Sequence, residues 1–245
     1  MAAPAAMQKP RLGTRVVPWI ALAAGILIGT SGLIDQIGAY WEDITYLSQG
    51  HMVLVAASGG AAILTGIPVG IWLSRPSMER SAETVMQVFN IGTTIPTLAV
   101  IALSMTILGI GFAPAFFGLF VASLLPIVRN TYAGLLAVPA HLKEAAHGMG
   151  MTPAQILFRV EIPNALYVIF SGVRTALAIN VGTTPLAFLI GGGGLGELIF
   201  TGIDLMDTGM LLAGAVPVAM LAVLVDFLMG QAQLHLVPKG VNPLR

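Results

Sequence analysis

The sequence predicts an all-α, polytopic membrane protein with six transmembrane helices. Three observations carry that expectation: a shortage of charge, six apolar stretches of spanning length, and a one-sided distribution of basic residues. Of 245 residues, 56% are apolar and 9% charged, and the mean hydropathy is +0.90. A soluble domain solvates its surface with about a quarter charged residues, so lipid must cover much of this chain. The absence of cysteine excludes disulfides and thiolate metal sites. A formal net charge of zero argues for neither nucleic acid nor an acidic substrate.

The apolar stretches fall at 17–34, 52–74, 84–110, 112–133, 165–190 and 209–229. Each suits the roughly 20 residues that cross ~30 Å of hydrocarbon, where backbone groups must be satisfied within the segment and a helix is required. Residues 1–16 form a tail, in which Lys9, Arg11 and Arg15 could serve as the positive region of a signal peptide. The apolar part of 17–34 is long, however, and Gly32-Leu33-Ile34-Asp35 is a poor cleavage site, so this stretch is expected to be a retained first helix. The stretch at 84–110 is interrupted by Asn90, Thr93, Thr94 and Pro96, which places its first part at the interface or against the protein interior. The main body runs over 50–229, and 230–245 forms a second tail.

Orientation follows from the basic residues. With six spans and a cytoplasmic N-terminus, Arg75, Arg80, Arg129, Lys143, Arg159, Lys239 and Arg245 fall inside or beside inside loops. The outside segments near 35–51, 109–114 and 191–208 contain no Lys or Arg and hold Asp35, Glu42, Asp43, Glu197, Asp204 and Asp207. Five spans would break this segregation. Tyr40, Trp41 and Tyr46 sit where an interfacial aromatic belt belongs. Arg174 falls at membrane depth, where a charge faces protein or water and takes a partner; Glu161 is the candidate. Asp226 is read as reaching the inner interface.

One polar interruption, Arg129 to Pro163, carries short helical patterns. Leu142, Ala145, Ala146 and Met149 recur at i, i+3, i+4 and i+7, giving one shallow apolar face. Gly150 suits the left-handed residue that closes such a helix. Thr152-Pro153-Ala154-Gln155 then supplies an N-cap threonine, a proline at the first helical position and a glutamine at the third. That second helix is expected to run through Ile156, Leu157 and Val160 until Pro163 stops it. The product is a helix-turn-helix on the cytoplasmic face.

Glu144-Ala145-Ala146, three residues, Gly150, nine residues and Val160-Glu161-Ile162-Pro163 resemble the EAA motif of ABC importer permeases, whose pattern ends Ile-x-Leu-Pro; Val160 and Ile162 are conservative departures. The resemblance implies the type I importer permease fold over 50–229, with Glu144, Ala145, Ala146, Gly150, Val160, Ile162 and Pro163 forming a loop that seats on a cytoplasmic ABC ATPase. Ile95-Pro96-Thr97-Leu98-Ala99, Leu125 to Gly134, Gly148-Met149-Gly150-Met151, Gly172-Val173-Arg174-Thr175-Ala176 and Gly192 to Gly196 are similar to the osmoprotectant branch, which imports glycine betaine, choline and related quaternary amines. Asn90-Ile91-Gly92-Thr93-Thr94 and Thr183-Thr184-Pro185 depart from that branch. The resemblance also implies a bacterial inner (plasma) membrane location with both termini cytoplasmic. Its implied partners are membrane lipid, a periplasmic or extracellular substrate-binding protein, and a second permease as homo- or heterodimer. Asn90, Thr93, Thr94, Asn180, Thr183 and Thr184 are the candidate lining of a weak polar path.

Other signals point away from chemistry. No G-x-x-x-x-G-K-[ST] occurs, so the chain is expected to be no enzyme and to hold no cofactor, ATP being bound by the partner subunit. Gly191 to Gly196 matches G-x-G-x-x-G but comes after a span rather than a strand, and reads as a flexible or tightly packed outer turn. His141 and His147 lie at i, i+6, off a common helical face, and His51 and His235 are read as interfacial. A methionine or amino-acid permease shares the EAA loop and is the nearest alternative. A secondary transporter would need intramembrane carboxylates and repeated halves, and a membrane scaffold would need no polar residues within its spans.

Overall fold

The computed structural model describes residues 32–238 and 240–241. The expected tail at 1–16, nearly all of the expected first helix, Lys239 and Arg245 lie outside the described residues. Elements in chain order are α1 (Leu33–Gly38), α2 (Trp41–Leu73), a 3-10 turn (Pro76–Met78), α3 (Glu79–Gly92), α4 (Thr97–Leu108) and α5 (Phe112–Leu136). They continue with α6 (Ala140–Gly148), α7 (Pro153–Ile156), a π turn (Leu157–Glu161), α8 (Ile162–Thr183), a 3-10 stretch (Thr184–Ile190), α9 (Gly196–Asp204) and α10 (Thr208–Leu236). Among the described residues there are four apolar helical units long enough to cross a membrane: α2, α5, the run Pro153–Ile190 and α10. There are five if α3 and α4 together count as one broken span.

Several boundaries differ from the sequence expectation, among them the end of α10, which runs on to Leu236 where a tail from 230 is expected. The first described span begins at Trp41 rather than 52, because Glu42 and Asp43 occupy its first turn, where carboxylates favour the positive end of the helix dipole. The 84–110 stretch is not one rod: α3 and α4 meet at 96°. The Thr93 and Thr94 hydroxyls donate to the Asn90 and Ile91 carbonyls (2.6 and 2.7 Å), ending α3, and Pro96 opens α4 with extended backbone. Pro163, expected to stop a helix, instead lies in the first turn of α8, and the chain passes it through the π turn.

Helices approach closely at small residues, as they do where lipid removes the usual hydrophobic drive. A Cβ on Gly66 would stand 2.9 Å from Ile127, one on Gly70 2.6 Å from Thr131, and one on Gly118 2.5 Å from Ile101. These contacts join α2 and α4 to α5, and Ala62, Ile127, Val173 and Ala176 bury the centre where α2, α5 and α8 meet.

The acidic end of the molecule is tied by Asp207. Its Oδ1 accepts from the Met210 amide (2.9 Å), capping α10, and its Oδ2 accepts from the Tyr40 hydroxyl beside α2 (2.8 Å). The Met210 amide and then Tyr40 hold the Asp207 carboxyl below the usual aspartate range, while that hydrogen bond holds the Tyr40 phenol above its own. A depressed carboxylate stabilises the fold above its unfolded pKa and loses that contribution as pH falls through the folded value. The Tyr40 contribution runs the other way and is lost only as pH rises past the phenol range. The clamp is therefore expected to hold through neutrality and open on acidification below the ordinary aspartate range. Amide exchange at the start of α10, corrected for intrinsic rate, should accelerate there in the native chain and not in Asp207→Asn; equal profiles would refute the clamp.

Candidate functional site

The polar loop folds as its spacing predicts at two points. Gly150 adopts a left-handed φ of 79° behind α6. Thr152 and Gln155 form a reciprocal capping box, with the Gln155 amide donating to Thr152 Oγ1 (3.4 Å) and the Thr152 amide to Gln155 Oε1 (2.9 Å). The expected single apolar face of α6 divides, however. Leu142 and Ala146 turn inward, whereas Ala145 and Met149 are exposed beside Glu144, with Met149 74% accessible. Helical geometry allows this, because these four positions cover an arc of about 100° rather than one line, and its two edges face different surroundings. The outward surface of α6 is thus small, mixed and open.

The root of this loop is firmly held. Leu157 and Ile162 pack with Leu135, Val138, Ala165 and Ile169 against Ile67 and Ile71 of α2. Val160, Ile162 and Pro163 are half-buried there. Glu161, at the end of the π turn, is 8% exposed, and its Oε2 accepts from Arg75 Nη1 at 2.6 Å. Glu161 therefore does not partner Arg174. Arg174 instead pairs with Asp226 through Nε–Oδ1 and Nη2–Oδ2, each 2.5 Å. Asp226 is correspondingly an ion-pair partner rather than a residue that merely reaches the interface. Arg75, Glu161, Lys143, Glu144 and His147 border one groove of about 540 Å³. His141 and His147 are exposed, and among the described residues no cluster could hold a metal ion.

The six path candidates separate into two groups. Asn90, Thr93 and Thr94 are at the α3–α4 break, where all three are exposed. Asn180 and Thr184 are buried, and Thr183 is half-buried with its hydroxyl donating to the Ile179 carbonyl at 2.9 Å. Asn180 Nδ2 donates to Ser58 Oγ (2.9 Å) and Ser123 Oγ (2.7 Å), and Thr184 Oγ1 donates to the Asn180 carbonyl (2.8 Å). One amide thereby joins α2, α5 and α8. No hydrogen bond joins the two groups among the described residues, although Thr93 shares a pocket with Ile179, the neighbour of Asn180. His51, read as interfacial, is fully buried, its Nε2 lying 3.2 Å from the Val181 carbonyl. Ser58, Ser123, Asp226 and the Arg75–Glu161 pair escape sequence reasoning, because partners 52 to 122 positions apart leave no periodic signal.

This helical body, with its small-faced loop and polar centre, matches known proteins along most of its length. Residues 66–239 match the family model for the binding-protein-dependent transport system inner membrane component, and the chain belongs to that family. It is 53% identical over 230 residues to the osmoprotectant import permease protein OsmY of Salmonella typhimurium, covering 94% of this chain and 96% of that one. It is 38% identical over 203 residues to the choline transport system permease protein OpuBB of Bacillus subtilis, covering 83% and 93%. Among solved structures, an inward-facing conformation of the MetNI methionine ABC transporter superposes with a TM-score of 0.70 at 26% identity, covering 78% of this chain and 94% of that chain. The chain is a multi-pass membrane permease of a binding-protein-dependent transport system.

Proposed function

We propose that the chain is the permease subunit of an ATP-driven importer that carries osmoprotectants of the quaternary-amine class across the bacterial inner membrane. The observation that carries this reading is the 53% identity, over nearly the whole of both chains, to an osmoprotectant import permease. The likeness to the methionine transporter, at 26% identity, supports the fold and leaves methionine as the weaker reading. In the proposed assembly two permease subunits form the path, a binding protein delivers solute to the acidic face, and a separate ATPase binds and hydrolyses ATP on the basic face. Both termini are cytoplasmic. Glu144, Ala145, Ala146 and Gly150 present the docking surface to the ATPase, and Val160, Ile162 and Pro163 root it in α8. A quaternary ammonium needs no counter-charge along the way where hydroxyls and amides suffice, so Asn90, Thr93, Thr94 and Thr183 line a weak route and Asn180 and Thr184 shape it from behind.

The test is co-purification of the ATPase with the native chain, Glu144→Ala and Gly150→Val, alongside uptake of labelled betaine and choline at high osmolarity. Valine cannot adopt the φ of 79° found at Gly150 without strain, so α6 should be displaced. Both variants are expected to lose about tenfold or more in association and uptake, the scale of a coupling of about 1–3 kcal/mol. Survival of both properties in both variants would refute the docking assignment. Import of methionine with neither betaine nor choline would refute the substrate class.

A further inference from the structure

We infer that Arg75 and Glu161 form a positioning clamp that makes α2 move with the 140–156 loop, so that loop displacement enters two spans rather than one; this rests on the proposed coupling function. Arg75 lies just past the C-cap of α2. Its Nε donates to the Ile71 carbonyl (3.1 Å) and its Nη2 to Ser74 Oγ (2.8 Å), leaving Nη1 for Glu161 (2.6 Å). Two of these bonds fix the guanidinium on the end of its own helix, so the third reaches across 86 positions from a preset fork. The Arg75 and Glu161 side chains are only 26% and 10% exposed, unlike a mobile surface pair.

The aim of Glu161 depends on Pro163. Proline offers no amide to the carbonyl one turn back, and the π turn at Leu157–Glu161 accommodates that gap. Asn164 Nδ2 meanwhile donates to the Val160 carbonyl at 2.7 Å. Each residue added to a helix turns its neighbours by about 100°, so the inserted residue sets which face Glu161 presents. The sequence Val160-Glu161-Ile162-Pro163 thus has a physical reading: the proline requires the π turn, and the π turn directs the carboxylate at Arg75. Among the described residues, Arg75 is the only cation within ion-pair distance of Glu161. Without the clamp the loop would meet α2 only through the apolar packing of Leu157 and Ile162 on Ile67 and Ile71, with an irregular turn at its root acting as a hinge. With it, α2 and α8, which both pack on α5, receive the same push, as a two-state rigid-body movement requires.

The chain contains no cysteine, so spin labels can be attached at Ser77→Cys and Ala154→Cys, both exposed, in the whole permease–ATPase complex in lipid nanodiscs. A narrow label–label distance distribution is expected for the native clamp and a broad one for Arg75→Ala and Glu161→Gln. The ratio of solute imported to ATP hydrolysed should fall about tenfold while the ATPase stays bound and continues to hydrolyse, within the range of measured coupling factors. Arg75→Lys, which keeps the charge but not the fork, should recover part of the ratio. Glu161→Gln retains the side-chain shape and keeps the test available where Arg75→Ala folds poorly. An unchanged distance distribution, an unchanged ratio, or joint loss of ATPase and uptake at constant ratio would each overturn the clamp. Failure of the native chain to retain any ATPase would overturn the coupling function itself, and the label distances would still show whether the pair holds the loop.

Discussion

Replacing Gly196 with alanine will destabilise the permease more than alanine at either Gly59 or Gly60. A Cβ there would stand 2.0 Å from the Pro185 carbonyl oxygen, 2.7 Å from its carbon and 2.9 Å from its Cα. All three are backbone atoms, in a stretch that is itself pinned by Ala187 and Ile190 packed on Leu54, Ile101 and Leu119. No rotamer change can relieve the overlap, so α9 must move. It is not free to do so: Cβ atoms on Gly202 and Gly214 would approach the Leu211 and Ile199 amides to 2.4 and 2.9 Å, which shows how closely α9 is seated on α10. Overpacking that only backbone displacement can absorb costs about 3 kcal/mol, the upper end of the usual range.

The two glycines of α2 set the scale. At Gly59 the clash is with Leu177 Cδ2 at 2.5 Å, the tip of a side chain that can turn, so alanine should cost about 1 kcal/mol. At Gly60 nothing lies within 4 Å, and removing a mid-helix glycine should stabilise by about 0.5–1 kcal/mol. Thermal midpoints in detergent or nanodiscs are expected to fall in the order Gly60→Ala, native, Gly59→Ala, Gly196→Ala. A midpoint for Gly196→Ala at or above that of Gly59→Ala would show that the α9 contact yields easily. The glycine run at 191–196 is accordingly a packing device, with Gly192 pressed on Ala115 and Ala187 rather than cradling a phosphate.

What the sequence makes legible is whatever depends on near neighbours. The Thr152–Gln155 box, the left-handed Gly150 and the break before Pro96 each arise within four residues, and each lies where spacing puts it. The long-range pairs depend on how helices rotate against one another, and apolar residues on every side of a membrane helix blunt the periodicity that would reveal rotation. That is why position along the chain points His51 to an interface although it is buried against Val181. It is also why proximity suggests Glu161 for Arg174 although each has a different partner. Pro163 misleads for a related reason: the rule that proline ends a helix assumes an α register, and one π turn suspends it.

The Arg174–Asp226 pair gives the second large effect. Arg174 lies twelve residues into α8 and Asp226 ten residues before the end of α10, about 18 and 15 Å along the helices, so both belong to helical units long and apolar enough to cross a membrane. The contact is bidentate, and Gly230 leaves room for it, since a Cβ there would come to 3.4 Å of Arg174 Nη1. The side chains are 38% and 42% exposed in the single chain, so the predicted cost depends on lipid or a second subunit covering them. Asp226→Asn would leave an uncompensated guanidinium within the membrane, a loss of about 2.5–3.5 kcal/mol on insertion scales, and Arg174→Leu would strand the carboxylate at similar cost. The double variant Arg174→Leu/Asp226→Leu removes both charges and should return to within about 1 kcal/mol of the native chain, because replacing a desolvated pair by apolar side chains is often neutral. Unfolding in nanodiscs measures the three variants, and solute uptake is followed in parallel. If the pair serves only to join α8 to α10, uptake should recover with stability in the double variant. Recovered stability with uptake still absent would instead place these charges on the path, and undiminished stability in both single variants would mean that the pair contributes nothing to the fold.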